Sequence, residues 1–468
     1  MKTTSLTSRY WAGLGATALL LNACAPGQDQ PTPTTGIDVS RYVAVGDSYT
    51  AGVSNGGLTR TSQEYSYPNL LARQLSSAAA NASFTQPLLE AGTGTGYLTL
   101  VDLPATDLPR VRRVAGQSVL RNVINPAACG GPDTVRLLAR SSNAGTLPQN
   151  LGVPGLQLGQ VGTAGLGNAT NATPTGTFNA YFERLLPAAD NRTYLASVTT
   201  ASASASFFTY FLGLDNLMPY VRSGGDCGPL PNTALTNLMR NNAKTVLDVL
   251  TANGRPGIIA KLPALTNLPL LRLGRGQALQ TRLQASFGDT ARIYIESPLG
   301  FGTPQVISDD DYVLATAVPS VGQRTAVVVG GTTMQLPYGR DIRNPLRDRD
   351  VLDKDELSRA TSVLNSYNNE LDRLATQVYK MPVINTTSGQ STLDTNIAFP
   401  NFVGESISIA GVVYSAEPVR GNFFSLDYYS LTPRGNALLT NAFISAINRA
   451  YRANIPAIDA NSLPTVAQ

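Results

Sequence analysis

The chemistry of this chain gathers at one serine. Ser48 stands in the stretch Tyr42-Val43-Ala44-Val45-Gly46-Asp47-Ser48-Tyr49-Thr50-Ala51-Gly52, an apolar run that turns at a glycine. Read as a strand, the run delivers its last residues to one edge of a sheet, and Gly46 permits a tight turn there. Ser48 then opens the next helix, where unpaired backbone N–H groups and the helix dipole favour developing negative charge. A serine so placed suits nucleophilic attack on an acyl carbon. The stretch is not the G-x-S-x-G elbow, because Thr50 stands where the second glycine belongs and Gly52 comes later.

Three later stretches bear on the same chemistry. Asn150-Leu151-Gly152-Val153-Pro154-Gly155 reads as a strand end and a turn. Phe207 to Leu212 is a compact aromatic strand that runs into Gly213-Leu214-Asp215-Asn216, and Asp427-Tyr428-Tyr429-Ser430 precedes a helix opening at Thr432-Pro433-Arg434-Gly435. With the Ser48 turn, these resemble the four sequence blocks of the SGNH or GDSL hydrolases, a family of serine esterases and lipases. The resemblance runs from about residue 40 to 450. It implies an α/β fold, three-layer α/β/α and flavodoxin-like, with a parallel sheet. It also implies Ser48 as nucleophile and Gly155 as an oxyanion donor, although Pro-Gly is first of all a turn. Asp215 stands at the family's oxyanion Asn, Asp427 at the triad acid, and Ser430 at the histidine.

Two of these positions depart from what the chemistry needs. The chain has no histidine in 468 residues, and Ser430 is far too weak a base to take a proton from Ser48. An ionised Asp215 is an acceptor only and repels an oxyanion. Asn216, next door, replaces it only by turning inward, whereas successive residues near a strand end point to opposite sides. Asp427, without an imidazole to orient, becomes a turn residue or the partner of an arginine such as Arg434.

Three functions follow as expectations. One is a degenerate ester hydrolase that keeps a binding cleft for a small ester, acyl or glycan ligand. Another is an active carboxylic-ester hydrolase with an unorthodox base, either a desolvated Lys261 at the end of the strand Gly257-Ile258-Ile259-Ala260 or Asp427 acting through water. The third is an envelope interaction protein working through residues 262–349. No metal or cofactor is implied, since no histidine is present to ligate and no glycine-rich phosphate loop follows the right strand.

The surrounding text supplies the elements. Leu70, Leu71 and Leu75 make a helical stripe after Pro68, and residues 234–250 make another before the strand at 257, which is the βαβ rhythm of a parallel sheet. Residues 262–349 are β-rich, with three consecutive valines at 327–329, and read as an insertion on the sheet edge. Asp353 and Glu356 form a D-x-x-E capping box for a long helix whose stripe runs from Leu357 to Val378. Residues 406–414 read as a hairpin, and residues 451–468 as a C-terminal tail.

The N-terminus reads as an address. Lys2 and Arg9 precede an apolar run at 11–21, and Leu21-Asn22-Ala23-Cys24 resembles a bacterial lipobox. That resemblance implies a signal peptide over 1–23, a lipidated Cys24, a Pro- and Thr-rich tether over 24–36, and a domain over 37–450. Localisation at the bacterial envelope, in the outer membrane, follows, with the lipid as the anchor. Only 14% of residues are charged and the net charge is +4 with no basic cluster, which argues against a nucleic-acid partner. Cys129 and Cys227 remain as an even pair, and in an exported chain a disulfide between them is expected to contribute about 3–4 kcal/mol.

Overall fold

The computed structural model describes residues 36–466 except 80–81, 93, 105–107, 117–121, 125–133, 143, 173–176, 297–301 and 385–405. The leader, Cys24, most of the tether and Cys129 lie outside the described residues. The described residues belong to one compact unit.

Five strands form the central sheet, and every pairing in it is parallel. Their spatial order is Val383–Ile384, Gly257–Ala260, Phe207–Phe211, Tyr42–Gly46 and Asn150–Gly152. Numbered along the chain, the order is 2-1-3-4-5, so it reverses between the first strand and the third. That reversal opens a crevice at the carboxyl ends of those two strands. Ser48 follows one of them and Asp215 the other. All five residues of each are buried, as expected of strands covered on both faces.

Alternation along the strands assigns the two covering layers. Tyr42 and Phe207 are cross-strand partners, so Phe211 shares their face. On that face Tyr67 packs on Phe211 and stacks on Phe443, while Tyr451 meets Phe207 edge-on. The helices Tyr67–Ala78 and Pro433–Tyr451 therefore cover it. Tyr210 points the other way, to the hydroxyl of Tyr367 at 2.9 Å, which places the helix Lys354–Arg373 on the opposite face beside Thr233–Leu250.

The Lys354–Arg373 helix starts where the sequence places it. Asp353 accepts from the Glu356 N–H at 2.8 Å, and the Glu356 carboxylate accepts from the Asp353 N–H at 3.0 Å. Its far end differs from expectation. A π-helical turn over Leu374–Val378 adds a residue to the repeat, so Val378 swings out to 44% exposure instead of extending the stripe.

Residues 262–349 enter between the strand Gly257–Ala260 and this helix. They carry short antiparallel pairs, among them Arg324–Val329 with Thr332–Pro337, and the helix Gly276–Phe287. Leu262, Ile293, Val313 and Leu346 from this stretch belong to the main core, so it folds with the sheet. The segment after 451 is part of the body and not a loose tail. Ile455 and Ala460 are buried, and Asn441, Asn448 and Arg434 bond its backbone.

Candidate active site

The turn that carries Ser48 is shaped by what a side chain at Gly46 would meet. A Cβ there would lie 2.3 Å from the Phe211 carbonyl oxygen and 1.9 Å from Thr50 Oγ1, so only glycine lets the two neighbouring strand ends approach. Ser48 then begins a single helical turn, Ser48–Ala51, with its backbone N–H directed at Asp215.

Asp47 secures the facing loop. Its Oδ2 accepts from the N–H groups of Gly213 at 2.9 Å and Asp215 at 3.2 Å. Gly213 holds φ at +128°, and a Cβ there would meet the Tyr367 ring at 2.8 Å, which fixes glycine at this position too. The loop leaving the third strand is thereby clamped against the serine turn.

Three donors converge on one oxygen of Asp215. Its Oδ2 accepts from the Ser48 hydroxyl at 2.6 Å, the Ser48 N–H at 3.1 Å and the Gly155 N–H at 2.8 Å. Gly155 sits at φ +73°, and the amide of Asn179 bonds the adjoining Pro154 carbonyl at 3.0 Å. Two backbone N–H groups at such distances from one point have the geometry of an oxyanion hole. Here the point is taken by the chain's own carboxylate. Ser48 and Asp215 are each only 5% exposed.

Burial sets the charge state of this pair of acids. It pushes the Asp215 carboxyl above the ordinary range, while the bonds from Ser48 and Gly155 and the charge of Arg222 pull it back. Asp47 is pushed up further, first by burial and then by the negative charge of Asp215. Arg222, whose charge reaches Asp215, holds its guanidinium 5.0 Å over the ring of Tyr429.

Asn216 does not replace Asp215. Its Oδ1 accepts the Leu158 N–H at 2.9 Å, so the buried amide braces the segment after Gly155. The order Asp-Asn thus puts the acid in the hole and the amide behind it.

The Asp427 turn lies against the loop that follows the serine. Tyr49, next to Ser48, donates to the carbonyl of Tyr429, next to Ser430, at 2.5 Å. Asp427 Oδ1 accepts from Ser425 Oγ and from the N–H groups of Tyr429 and Ser430, and Oδ2 accepts from the Gly56 N–H at 2.7 Å and from the Ser430 hydroxyl. The Ser430 hydroxyl supplies a donor to the acid but offers no base. Tyr428, inside this turn, is held at φ +67°, an uncommon conformation for a bulky residue. Arg434 is not the partner of Asp427, since it bonds the carbonyls of Leu463 and Asn461.

Lys261 lies two strands from the Ser48 strand, roughly 10 Å across the sheet at ordinary strand spacing. Its ammonium stands 3.8 Å from the Asp372 carboxylate. Cys227 is disulfide-bonded, and the two cysteines that could partner it, Cys24 and Cys129, lie outside the described residues.

Asp47, Tyr49, Gly56, Arg222 and Ser425 complete the arrangement and were not singled out in the sequence. Asp47 had a signal, being an acid beside the serine in a buried turn. Among the described residues, no group of three or more acidic, cysteine or histidine side chains is placed to hold a metal ion. No protein-family model, curated protein or solved structure matches the chain.

Proposed function

We propose that the chain is an SGNH-type ester hydrolase that has lost its chemistry and keeps the fold as a ligand-binding body. The observation that carries this reading is the Asp215 carboxylate seated between the Ser48 and Gly155 N–H groups. A tetrahedral intermediate needs those donors for its own oxygen, and a negative charge already there excludes it. The absence of histidine removes the base as well. The 2-1-3-4-5 strand order, with Ser48 and Asp215 at its reversal, is the flavodoxin-like order and supports the SGNH fold.

One observation favours an active enzyme instead. Asp215 accepts the Ser48 proton at 2.6 Å, the relation of a nucleophile to its base. The same oxygen fills the oxyanion site, so a base at Asp215 must vacate the hole at the moment the intermediate forms. Lys261, beside Asp372, and Asp427 acting through water are the other candidate bases.

The leader reading belongs to this proposal: a lipid on Cys24 holds the body at the bacterial envelope, facing a small ester, acyl or glycan ligand. Hydrolysis of short- and medium-chain p-nitrophenyl esters by the mature protein tests the central part. The expected result is no turnover above the buffer rate. Turnover that disappears in Ser48→Ala overturns the reading.

A further inference from the structure

A groove of about 640 Å³ lies between the Lys354–Arg373 helix and the strand Tyr312–Val313, which pairs with Val351–Leu352 just before that helix. Two rows of helix positions four apart line it: Ser358, Ser362 and Ser366, and beside them Thr361, Asn365 and Asn369. None of the six carries a charge. Among the described residues, none of their side chains has a hydrogen-bond partner. Exposed hydroxyls on other helices behave differently, since those of Thr199, Thr245 and Thr281 each donate to the carbonyl four residues back.

Tyr312 closes the other wall. It is only 9% exposed, yet its hydroxyl bonds nothing among the described residues and is not sealed from solvent. A phenol buried to that extent ordinarily finds a partner. Here the open side of the hydroxyl is the groove.

The chemistry that fits is an uncharged polyol. Every hydroxyl and amide in the two rows both donates and accepts, so a ligand must offer donors and acceptors at short intervals. Along each row the helix advances about 6 Å per member, and the six side chains span about 16 Å. The first length is close to that of one pyranose unit in an extended chain. Nucleic acid needs cations, and Lys354 is the one cation among the lining residues, with Asp310 opposite it already paired to Arg275 at 3.3 Å. An acyl chain or an apolar helix would strip six polar groups of water and return no bonds.

We propose that this groove is a binding site for an extended, neutral oligosaccharide, held by the two polar rows and the Tyr312 hydroxyl. The inference is independent of whether Ser48 reacts.

Titration of the full chain, followed by ligand-observed NMR, tests it. The probes are cellotetraose and the β-1,4-linked tetramer of N-acetylglucosamine, which are extended, and maltotetraose, which is curved. At least one extended probe is expected to bind, more tightly than maltotetraose, and added salt should leave its affinity unchanged because the ligand carries no charge. Tyr312→Phe removes an oxygen that bonds nothing within the described protein, so the unfolding temperature should hold while affinity falls about tenfold. Ser362→Ala with Asn365→Leu should weaken binding further, and Thr199→Ala, on another helix, should leave it unchanged. Failure of both extended probes to bind at millimolar concentration overturns the proposal, as does maltotetraose binding as tightly as they do. Binding that Tyr312→Phe and the Ser362, Asn365 double variant both leave intact places the glycan elsewhere, the Ser48 crevice included, and overturns it too.

Discussion

Replacing Asp215 by asparagine exchanges one carboxylate oxygen for an amide nitrogen and takes a negative charge out of the oxyanion site. In the native chain that charge accepts from Ser48 N–H, Ser48 Oγ and Gly155 N–H. With asparagine, the two backbone donors become available to a substrate oxygen and the amide adds a third. One such donor is worth about 2.7–4 kcal/mol, or 10²–10³ in rate. An oxyanion hole with a serine but without its base retains about 10³-fold catalysis over water. Asp215→Asn is therefore expected to release p-nitrophenolate from an activated acetate ester at least about 10²-fold faster than the native chain. The rate should rise with pH, because hydroxide must supply the missing base. Stability gives a second check. The Asp215 carboxyl titrates above its ordinary range in the folded chain through burial, so the folded state disfavours its charge, and the associated stability is lost as pH rises through that folded value. A neutral asparagine removes this loss, and the unfolding temperature at neutral pH should match or exceed the native one. If Asp215→Asn hydrolyses no faster than the native chain while remaining folded, the plugged-hole argument is refuted.

Other consequences are open to direct measurement. Gly46→Ala pushes a methyl to 2.3 Å from the Phe211 carbonyl, and overpacking of this kind should cost about 1–3 kcal/mol or more by denaturant titration. Asp353→Ala removes the capping box of the Lys354–Arg373 helix and should cost about 0.5–2 kcal/mol in the same assay. The Glu356 carboxyl is raised to about 8, first by burial, and Asp348 to about 6, by burial and by Asp226. Folded-state values above the unfolded ones mean stability that is complete at mildly acid pH and lost as pH rises. The unfolding temperature should therefore fall between about pH 5 and 8, and Glu356→Gln should flatten that slope.

The sequence made the frame legible because its signals are local. A buried apolar run ending in glycine and serine, aromatic residues at 207–211, and Asp353 with Glu356 three positions on each specify an element without help from distant residues. The same locality explains the misses. Residue order places Asp215 near Ser48, but which oxygen faces which donor depends on Asp47 clamping the 213–215 backbone from the other strand. Asn216 has the right chemistry and the wrong side, and its Oδ1 is committed to Leu158. Asp427 was open to pairing with Arg434, because nothing in the chain order shows that Ser425, Ser430 and Gly56 fill its oxygens. The π turn at 374–378 displaces Val378 through one added residue per turn, which a stripe counted in threes and fours does not register. The final segment looked like a tail because its anchors, Asn441, Asn448 and Arg434, lie back along the preceding helix.

Labelling of Ser48 by a fluorophosphonate, read by intact-protein mass spectrometry, tests the central claim most directly. The reagent needs both an activated serine and free oxyanion donors for its phosphoryl oxygen. The native chain should remain unmodified, with Asp215 holding those donors. A stoichiometric adduct on Ser48 of the native chain would contradict the account and return the protein to the working hydrolases.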